Sequence, residues 1–343
     1  MSEALDVYNA VSAVVDPVYL VGGSVRDVLM GRACSDFDFT TPLTPDRIEA
    51  AVREAGRKPY LIGKKYGTVG FKADGRIVEV TTFRSEVYPD DTRRPDVIFL
   101  DDLAADLSRR DFTINALAMQ ADEVIDLFGG RADIEARVIR AVGEPRERFR
   151  EDPLRMLRAA RFASQLAFSV EPATTSAMER YAHRILHVAR ERWMVELDKL
   201  LLGEDVVYGL DLLAATGLLR FMLPELHLQV DYDQNSPYHD RTLWEHTLAV
   251  VAATPRDIDL RWAALLHDIA KPFVRFEKPG RSTYARHDAL GAEMVERLAL
   301  YLKWSKARRE NVGALVRDHL LEDSPLREAD AAGKPPKTGG GGA

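Results

Sequence analysis

A change of period near residue 140 narrows the fold more than any other feature of this chain. Ahead of it, alternating residues mark strands, as at Val18–Val21 and through 67-GTVGFKADGRIVEVTTFR-84, where Asp74-Gly75 supplies a two-residue hairpin turn. Beyond it strand signals vanish, and helical patterns follow at 151–167, 172–187, 190–202, 205–216, 242–253, 259–270, 288–303 and 306–321. The expected class is therefore α+β: a small mixed sheet with helices on one side over residues 1–140, then an all-α remainder. A chain of 343 residues exceeds one typical domain. The helical part is read as a neck and body at 141–230 and a further helical domain at 231–325. The Gly-rich stretch 326–343 reads as a flexible tail.

Local signals refine the first part. Residues 1–15 read as a short helix, and Gly22-Gly23 as a tight turn. Ser24 is the expected N-cap of a helix to Leu29 that Gly31 ends. Thr44, Pro45 and Gly56 bracket a second helix. The segment 86-EVYPDDTRRPDV-97 has two prolines and no apolar period, so a mobile loop is expected there.

The chemistry starts at 34-CSDFDFTT-41. In an extended strand Asp36 and Asp38 share one face while Phe37 and Phe39 anchor the other. Like charges held this close call for a cation, and two carboxylates beside a glycine turn suit a divalent ion holding a triphosphate. Mg²⁺ is the hard, oxygen-seeking choice. Gly22 and Gly23 can bring backbone N–H groups to phosphate oxygens, and Arg26 stands one turn into the following helix. Glu79 is either a third carboxylate for the same ion or a solvent-side strand residue.

Net charge is −7, which argues against indiscriminate coating of nucleic acid. Even so, six arginines lie between Arg146 and Arg161 against three acids. Within them Asp152, Arg155, Arg158 and Arg161 recur every three residues and form a stripe on a helix. A carboxylate and a guanidinium side by side can mimic the pairing edge of a base. The plain alternative is a helix laced with ion pairs. Farther on, His267 and Asp268 adjoin at the end of an apolar helix, with His246 upstream and His287 downstream, a donor set suited to a transition metal or Mg²⁺. The single cysteine, Cys34, fits a reducing compartment. There is no apolar run of about 18 residues to span a bilayer and no secretory leader pattern. A cytoplasmic protein without membrane partners is expected.

Four ordered motifs carry a family resemblance: 20-LVGGSVRDVLMG-31 with 36-DFDFTT-41, then 107-LSRRDFTINALA-118, 151-EDPLRMLRAARF-162 and 190-RERWMVELDKLL-201. Together they resemble the class II tRNA nucleotidyltransferases, or CCA-adding enzymes, and their bacterial poly(A) polymerase relatives. The resemblance implies that Asp36 and Asp38 are catalytic metal ligands. It also places Arg109 or Arg110 on the triphosphate, Arg110 being favoured. Asp111 and Asn115 either organise the adjoining turn and helix through hydrogen bonds or contact the ligand directly. Asp152 and Arg155 would read the base, with Arg158 and Arg161 near sugar and phosphates. The implied activity is template-independent addition of CMP, CMP and AMP from CTP and ATP to the 3′ end of tRNA. Poly(A) synthesis or partial addition is the alternative; the loop signature at 86–99 favours complete CCA.

The order of His246, His267-Asp268 and His287 resembles the HD superfamily of metal-dependent phosphohydrolases. That implies a second divalent ion, with Asp318 or His319 as the terminal ligand. Two readings of the domain stay open: hydrolysis of phosphomonoesters or 2′,3′-cyclic phosphates, or a helical body kept for binding tRNA.

Overall fold

The computed structural model describes residues 2–34, 36–87, 96–235 and 241–333. The chain separates into two compact units, Met1–Glu151 and Asp152–Ala343.

In the first unit the longer strands are β1 (Tyr19–Val21), β2 (Asp38–Thr41), β3 (Thr68–Ala73), β4 (Arg76–Thr82), β5 (Arg84–Val87), β6 (Asp96–Phe99), β7 (Leu117–Gln120) and β8 (Glu123–Asp126), besides the two-residue strand Val138–Ile139. Six of them form one sheet in the order β3-β4-β2-β1-β7-β8, mixed because β2 and β4 run parallel while the other pairs are antiparallel. The β3–β4 hairpin turns at Asp74 and Gly75, both with positive φ, as a two-residue turn requires. β5 and β6 pair as a separate hairpin. The flanks of the expected loop are thus strand, and its centre, 88–95, lies outside the described residues.

The helices of this unit are α1 (Ser2–Ser12), α2 (Gly23–Leu29), α3 (Pro45–Glu54), α4 (Leu103–Ser108), α5 (Gly130–Ala136) and α6 (Pro145–Glu151). One sheet face, with Leu20, Phe39, Val69, Phe71, Val80, Leu117 and Met119, packs on Val7 and Val11 of α1, Val25 of α2, and Ile48 and Val52 of α3. The sheet is nevertheless not covered on one side only. Val21 and Ala118 point to the opposite face, where Leu107 of α4 buries them. Apolar side chains on both faces of β1 and β7 require a second cover, and α4 supplies it. This correction matters for function, because α4 ends at the face that carries Asp38.

The second unit is built from α7 (Leu154–Leu166), α8 (Pro172–Tyr181), α9 (Arg190–Leu201), α10 (Val206–Ala215), α11 (Leu218–Met222), α12 (Pro224–His227), α13 (Leu243–Ala253), α14 (Ile258–Leu266), α15 (His287–Tyr301), α16 (Lys306–Arg317) and α17 (Arg327–Ala332). α7 packs on α9 and α10, while α13, α14 and α16 form a second layer. A capping box starts α13: Thr242 accepts from the Glu245 N–H, and the Glu245 carboxylate accepts from the Thr242 N–H.

Two expectations for this part need correction. Phe276–Lys278 and Arg281–Thr283 pair as a short hairpin among the helices. Its strands are too short and exposed to show an apolar alternation, and it is pinned from outside by the Ser282 N–H donating to the Asn235 carbonyl at 2.7 Å. The segment from 326 is also not all tail: Leu326 is fully buried and α17 follows it, docking on α13. Residues 334–343 lie outside the described residues. No helix among the described residues is long and apolar enough to cross a membrane.

Candidate functional site

In the first unit the site is set by strand register. Residues 36 to 39 alternate as read from the sequence: Asp36 and Asp38 are exposed, while Phe37 and Phe39 are buried. Asp38 stands opposite Val21 on β1 and opposite Glu79 on parallel β4. Register partners share a face, so Glu79 lies beside Asp38 on the face where α4 ends. Loss of hydration pushes the Asp38 carboxyl above the usual carboxylate range; Arg110 opposes the rise and Asp36 reinforces it. The acids are therefore near enough to repel and are held against that repulsion.

Asp106 of α4, fully buried, orients both arginines. Arg109 binds it through Nε and Nη2 at 3.1 and 2.8 Å, and Arg110 reaches it at 3.5 Å. Of the two, it is Arg110 that faces Asp38 and the glycine turn. A Cβ on Gly22 would stand 2.8 Å from Arg110 Nη1, and Gly22 holds φ at 75°. Glycine is thus required there on two counts, backbone conformation and space for the guanidinium.

Arg26, placed by the sequence where it could reach the same anion, is held among protein groups. Its side chain is buried and donates to Asp27 and, at 2.7 Å, to Asn115. Asn115 donates in turn to Asp111, which also accepts the Phe112 N–H. Asp111 and Asn115 do organise the turn, with Arg26 as their partner. Ser24 is not the N-cap either. The helix begins two residues earlier than that cap would place it, with Gly22 in the cap position, and Ser24 Oγ instead donates to the Asp36 carbonyl at 2.8 Å, tying down the strand approach that carries the acids.

In the second unit the arginine stripe of α7 turns toward α9. Arg155 and Arg161 are buried. Arg161 Nε lies 2.5 Å from Glu196, with Arg158 at 3.7 Å from the same carboxylate. Arg161 also covers the Phe162 ring at 3.8 Å. Asp152 accepts the Leu154 N–H at the start of α7 and pairs with Arg192 at 2.8 Å. The pairs of Arg158 and Arg161 with Glu196, and of Asp152 with Arg192, run to α9 rather than along α7, so they fix the stripe in place.

The histidines converge on Asp268. Its Oδ2 lies 3.4 Å from His246 Nε2 and 3.1 Å from His267 Nε2, and its Oδ1 lies 3.3 Å from His287 Nε2 and 3.9 Å from His319 Nε2. Each ring's Nδ1 is within 2.7–3.2 Å of a backbone carbonyl: Gly333, Ala264, Tyr284 and Val316 respectively. These carbonyls fix Nδ1 as N–H and turn every Nε2 inward, the support that metal-bound imidazoles use. Burial lowers His246, but its bonds to Asp268 and Asp330 outweigh that and hold it at about 9. Burial takes His319 down to about 4. Burial alone would raise Asp268, yet His267 and Lys271 hold it well below the carboxylate range. Of the two terminal ligands considered, His319 joins the cluster, while Asp318 is exposed at the end of α16.

The chain matches three families in order: "Poly A polymerase head domain" over residues 18–140, "Probable RNA and SrmB- binding site of polymerase A" over 167–229, and "HD domain" over 243–335. The CCA-adding enzyme of Levilactobacillus brevis is 50% identical over 205 residues, covering 59% of this chain and 51% of that protein. That of Geobacillus thermodenitrificans is 42% identical over 263 residues, covering 75% and 61%. The chain thus spans between half and two thirds of the length of these relatives. The crystal structure of the Bacillus stearothermophilus CCA-adding enzyme in complex with CTP superposes with a TM-score of 0.65 at 30% identity, covering 96% of this chain and 82% of that one. The chain belongs to the CCA-adding enzyme family.

Several residues that build these sites in this CCA-adding enzyme family member were not singled out from its sequence. Asp106 and Glu196 are acids on helix patterns, and nothing in their spacing distinguishes them from surface charge. Glu196 does fall within the 190–201 motif, which was the available signal. Asp330, 3.2 Å from His246 Nε2 and 3.9 Å from His267 Nε2, hides in a stretch read as tail.

Proposed function

We propose that the chain transfers CMP and AMP from CTP and ATP to the 3′ end of tRNA without a nucleic-acid template, releasing pyrophosphate, and that it works in the cytoplasm. The observation that carries this reading is the row Glu79–Asp38 on the sheet, with Asp36 beside it and Arg110 aimed over Gly22. The carboxylate donors fit Mg²⁺, which when bound would activate the terminal hydroxyl and neutralise charge on the triphosphate. Asp36 and Asp38 would hold that ion, with Glu79 available to it from the next strand. Arg110 meets the phosphates, held in aim by Asp106. Asp152 and Arg155 read the base through its exocyclic amine, and Arg158 and Arg161 are positioned by Glu196. The test is to incubate tRNA lacking its 3′ CCA with each labelled triphosphate and resolve products at single-nucleotide length. Three added nucleotides ending in A support the reading; continued extension with ATP alone identifies a poly(A) polymerase instead, and a product that stops short identifies a partial enzyme.

The inward-facing imidazoles around Asp268 favour a second reading for the helical unit: metal-dependent hydrolysis of phosphomonoesters or 2′,3′-cyclic phosphates at RNA ends. Four buttressed histidines on one buried carboxylate exceed what a passive RNA-binding surface needs. Assays with Ni²⁺, Mn²⁺ or Mg²⁺ should show activity that Asp268→Ala lacks; equal rates in both proteins would leave only the binding role.

A further inference from the structure

We infer that the uncovered part of the first unit's sheet is a stacking platform for the unpaired 3′ end of the RNA acceptor, with Tyr60 as its aromatic contact. This rests on the proposed nucleotidyl transfer and adds where the acceptor strand lies as its end approaches the acids. The sheet face that carries Asp38 is covered by α4 over β1, β7 and β8, where Leu103 and Leu107 meet Val21, Ala118 and Ile125. Over β3 and β4 the same face opens to solvent. Lys72 and Glu79 are exposed there, and Ile77, the register partner of Lys72, is 67% exposed.

Register carries one row across this open face. Asp38 stands opposite Glu79, Glu79 opposite Gly70, and Gly70 opposite Tyr60, with which it exchanges both backbone hydrogen bonds, at 2.7 and 2.9 Å. Partners in a row share a face, so Tyr60 points to the side of the acids. The glycine between them has no side chain, and the tyrosine lies against its place in the row. A Cβ on Gly70 would stand 3.5 Å from Tyr60 Cβ and 3.6 Å from its Cδ2. Three strand spacings of about 4.8 Å put Tyr60 about 14 Å from Asp38. That is too far to touch the reacting hydroxyl and suits the nucleotides that precede it.

Packing does not account for this ring. The core of the unit lies on the opposite face, where Val69 and Phe71 of the same strand are buried, whereas Tyr60 keeps 39% of its surface in water. A ring, an aliphatic side chain and an ammonium on a bare sheet face match what an unpaired RNA strand offers. Its bases are free to stack on the ring, and its phosphates can pair with Lys72. A duplex keeps its bases stacked on one another and gives the ring nothing to cover, which selects the single-stranded end. The row then leads from the platform past Glu79 to Asp38, where that end is extended.

The test measures CMP addition by the full chain to tRNA lacking its 3′ CCA, varying tRNA and CTP in turn. Tyr60→Leu keeps an apolar side chain against Gly70 but removes the ring. It should raise the KM for tRNA about tenfold, the scale of one lost base–aromatic stack, with a much smaller change in the KM for CTP. Tyr60→Phe, which keeps the ring, should restore the tRNA value. Lys72→Gln should reduce the slope of log affinity for the tRNA against log salt by about 0.7, one phosphate contact to a single strand. A tRNA KM that Tyr60→Leu leaves unmoved, a CTP KM that rises equally, or an unchanged salt slope in Lys72→Gln overturns the inference while sparing nucleotidyl transfer. A wild-type chain that adds no CMP overturns the underlying reading and the inference with it. Should Tyr60→Leu fail to fold, photo-cross-linking of the wild-type chain to tRNA with 4-thiouridine at its last nucleotide decides: labelling of the peptide that holds Tyr60 supports the platform, and labelling only elsewhere overturns it.

Discussion

Asp38 shows how one side chain carries opposed demands. Its carboxyl is pushed up by lost hydration, Arg110 opposes the rise, and Asp36 adds to it. Asp38→Asn removes the charge that the proposed function assigns to the ion while keeping shape. The expected result is a fall of about 10²–10³-fold in single-turnover CMP incorporation, the scale of a few kcal/mol of lost charge stabilisation. Gly22→Ala acts on a different quantity. Its Cβ collides with Arg110 Nη1, and a left-handed backbone costs an alanine about 1–2 kcal/mol. It should raise the KM for CTP with a smaller effect on kcat, since it displaces Arg110, the proposed phosphate contact, rather than the acids. Equal kcat and KM effects in the two variants would refute this division of roles. The acids and their aromatic anchors were legible because alternation along a strand fixes faces without any knowledge of neighbours. Asp106 was not legible, because its importance arises only when α4 crosses to the far face of the sheet.

At the scale of elements, the α7–α9 pair joins two recognised motifs through one acid. Glu196 is 5% exposed and faces Arg161, itself buried, so removing its charge leaves a guanidinium without its nearest counter-charge. Breaking a buried pair of this kind typically costs about 3–5 kcal/mol. Glu196→Gln is therefore expected to lower the denaturant midpoint of the helical unit strongly, and the CTP-to-ATP preference should blur as Arg158 and Arg161 lose their anchor. Arg192→Ala makes the contrast: its pair with Asp152 is more than half exposed on the arginine side and should contribute no more than about 1 kcal/mol. A larger loss for Arg192→Ala than for Glu196→Gln in urea unfolding would reverse the assignment. The long helices were legible from their period, whereas α17 was not. Six residues give too few turns for an apolar stripe, and that helix is held by its docking on α13, with Asp330 beside His246.

For the whole molecule, two compact units with separate candidate ion sites should respond separately to metal. Ions bound only by the folded state stabilise it by mass action, about 2.7 kcal/mol at a hundredfold excess over Kd. For a unit of this size that corresponds to a rise of about 5–10 °C in midpoint temperature. Imidazole-rich donors around Asp268 favour Zn²⁺ or Ni²⁺, while the carboxylates of the first unit favour Mg²⁺. Calorimetry should therefore resolve two transitions, of which Zn²⁺ moves only that of the helical unit. Asp268→Ala should abolish the movement without altering the other transition, because residues of the first unit supply none of the donors. A Zn²⁺ shift shared equally by both transitions, or one that survives in Asp268→Ala, would mean that the cluster is not where the ion acts. If both proposed activities hold, each would have its own donors, hard oxygens in one unit and imidazoles in the other, and neither would compete for the other's ion.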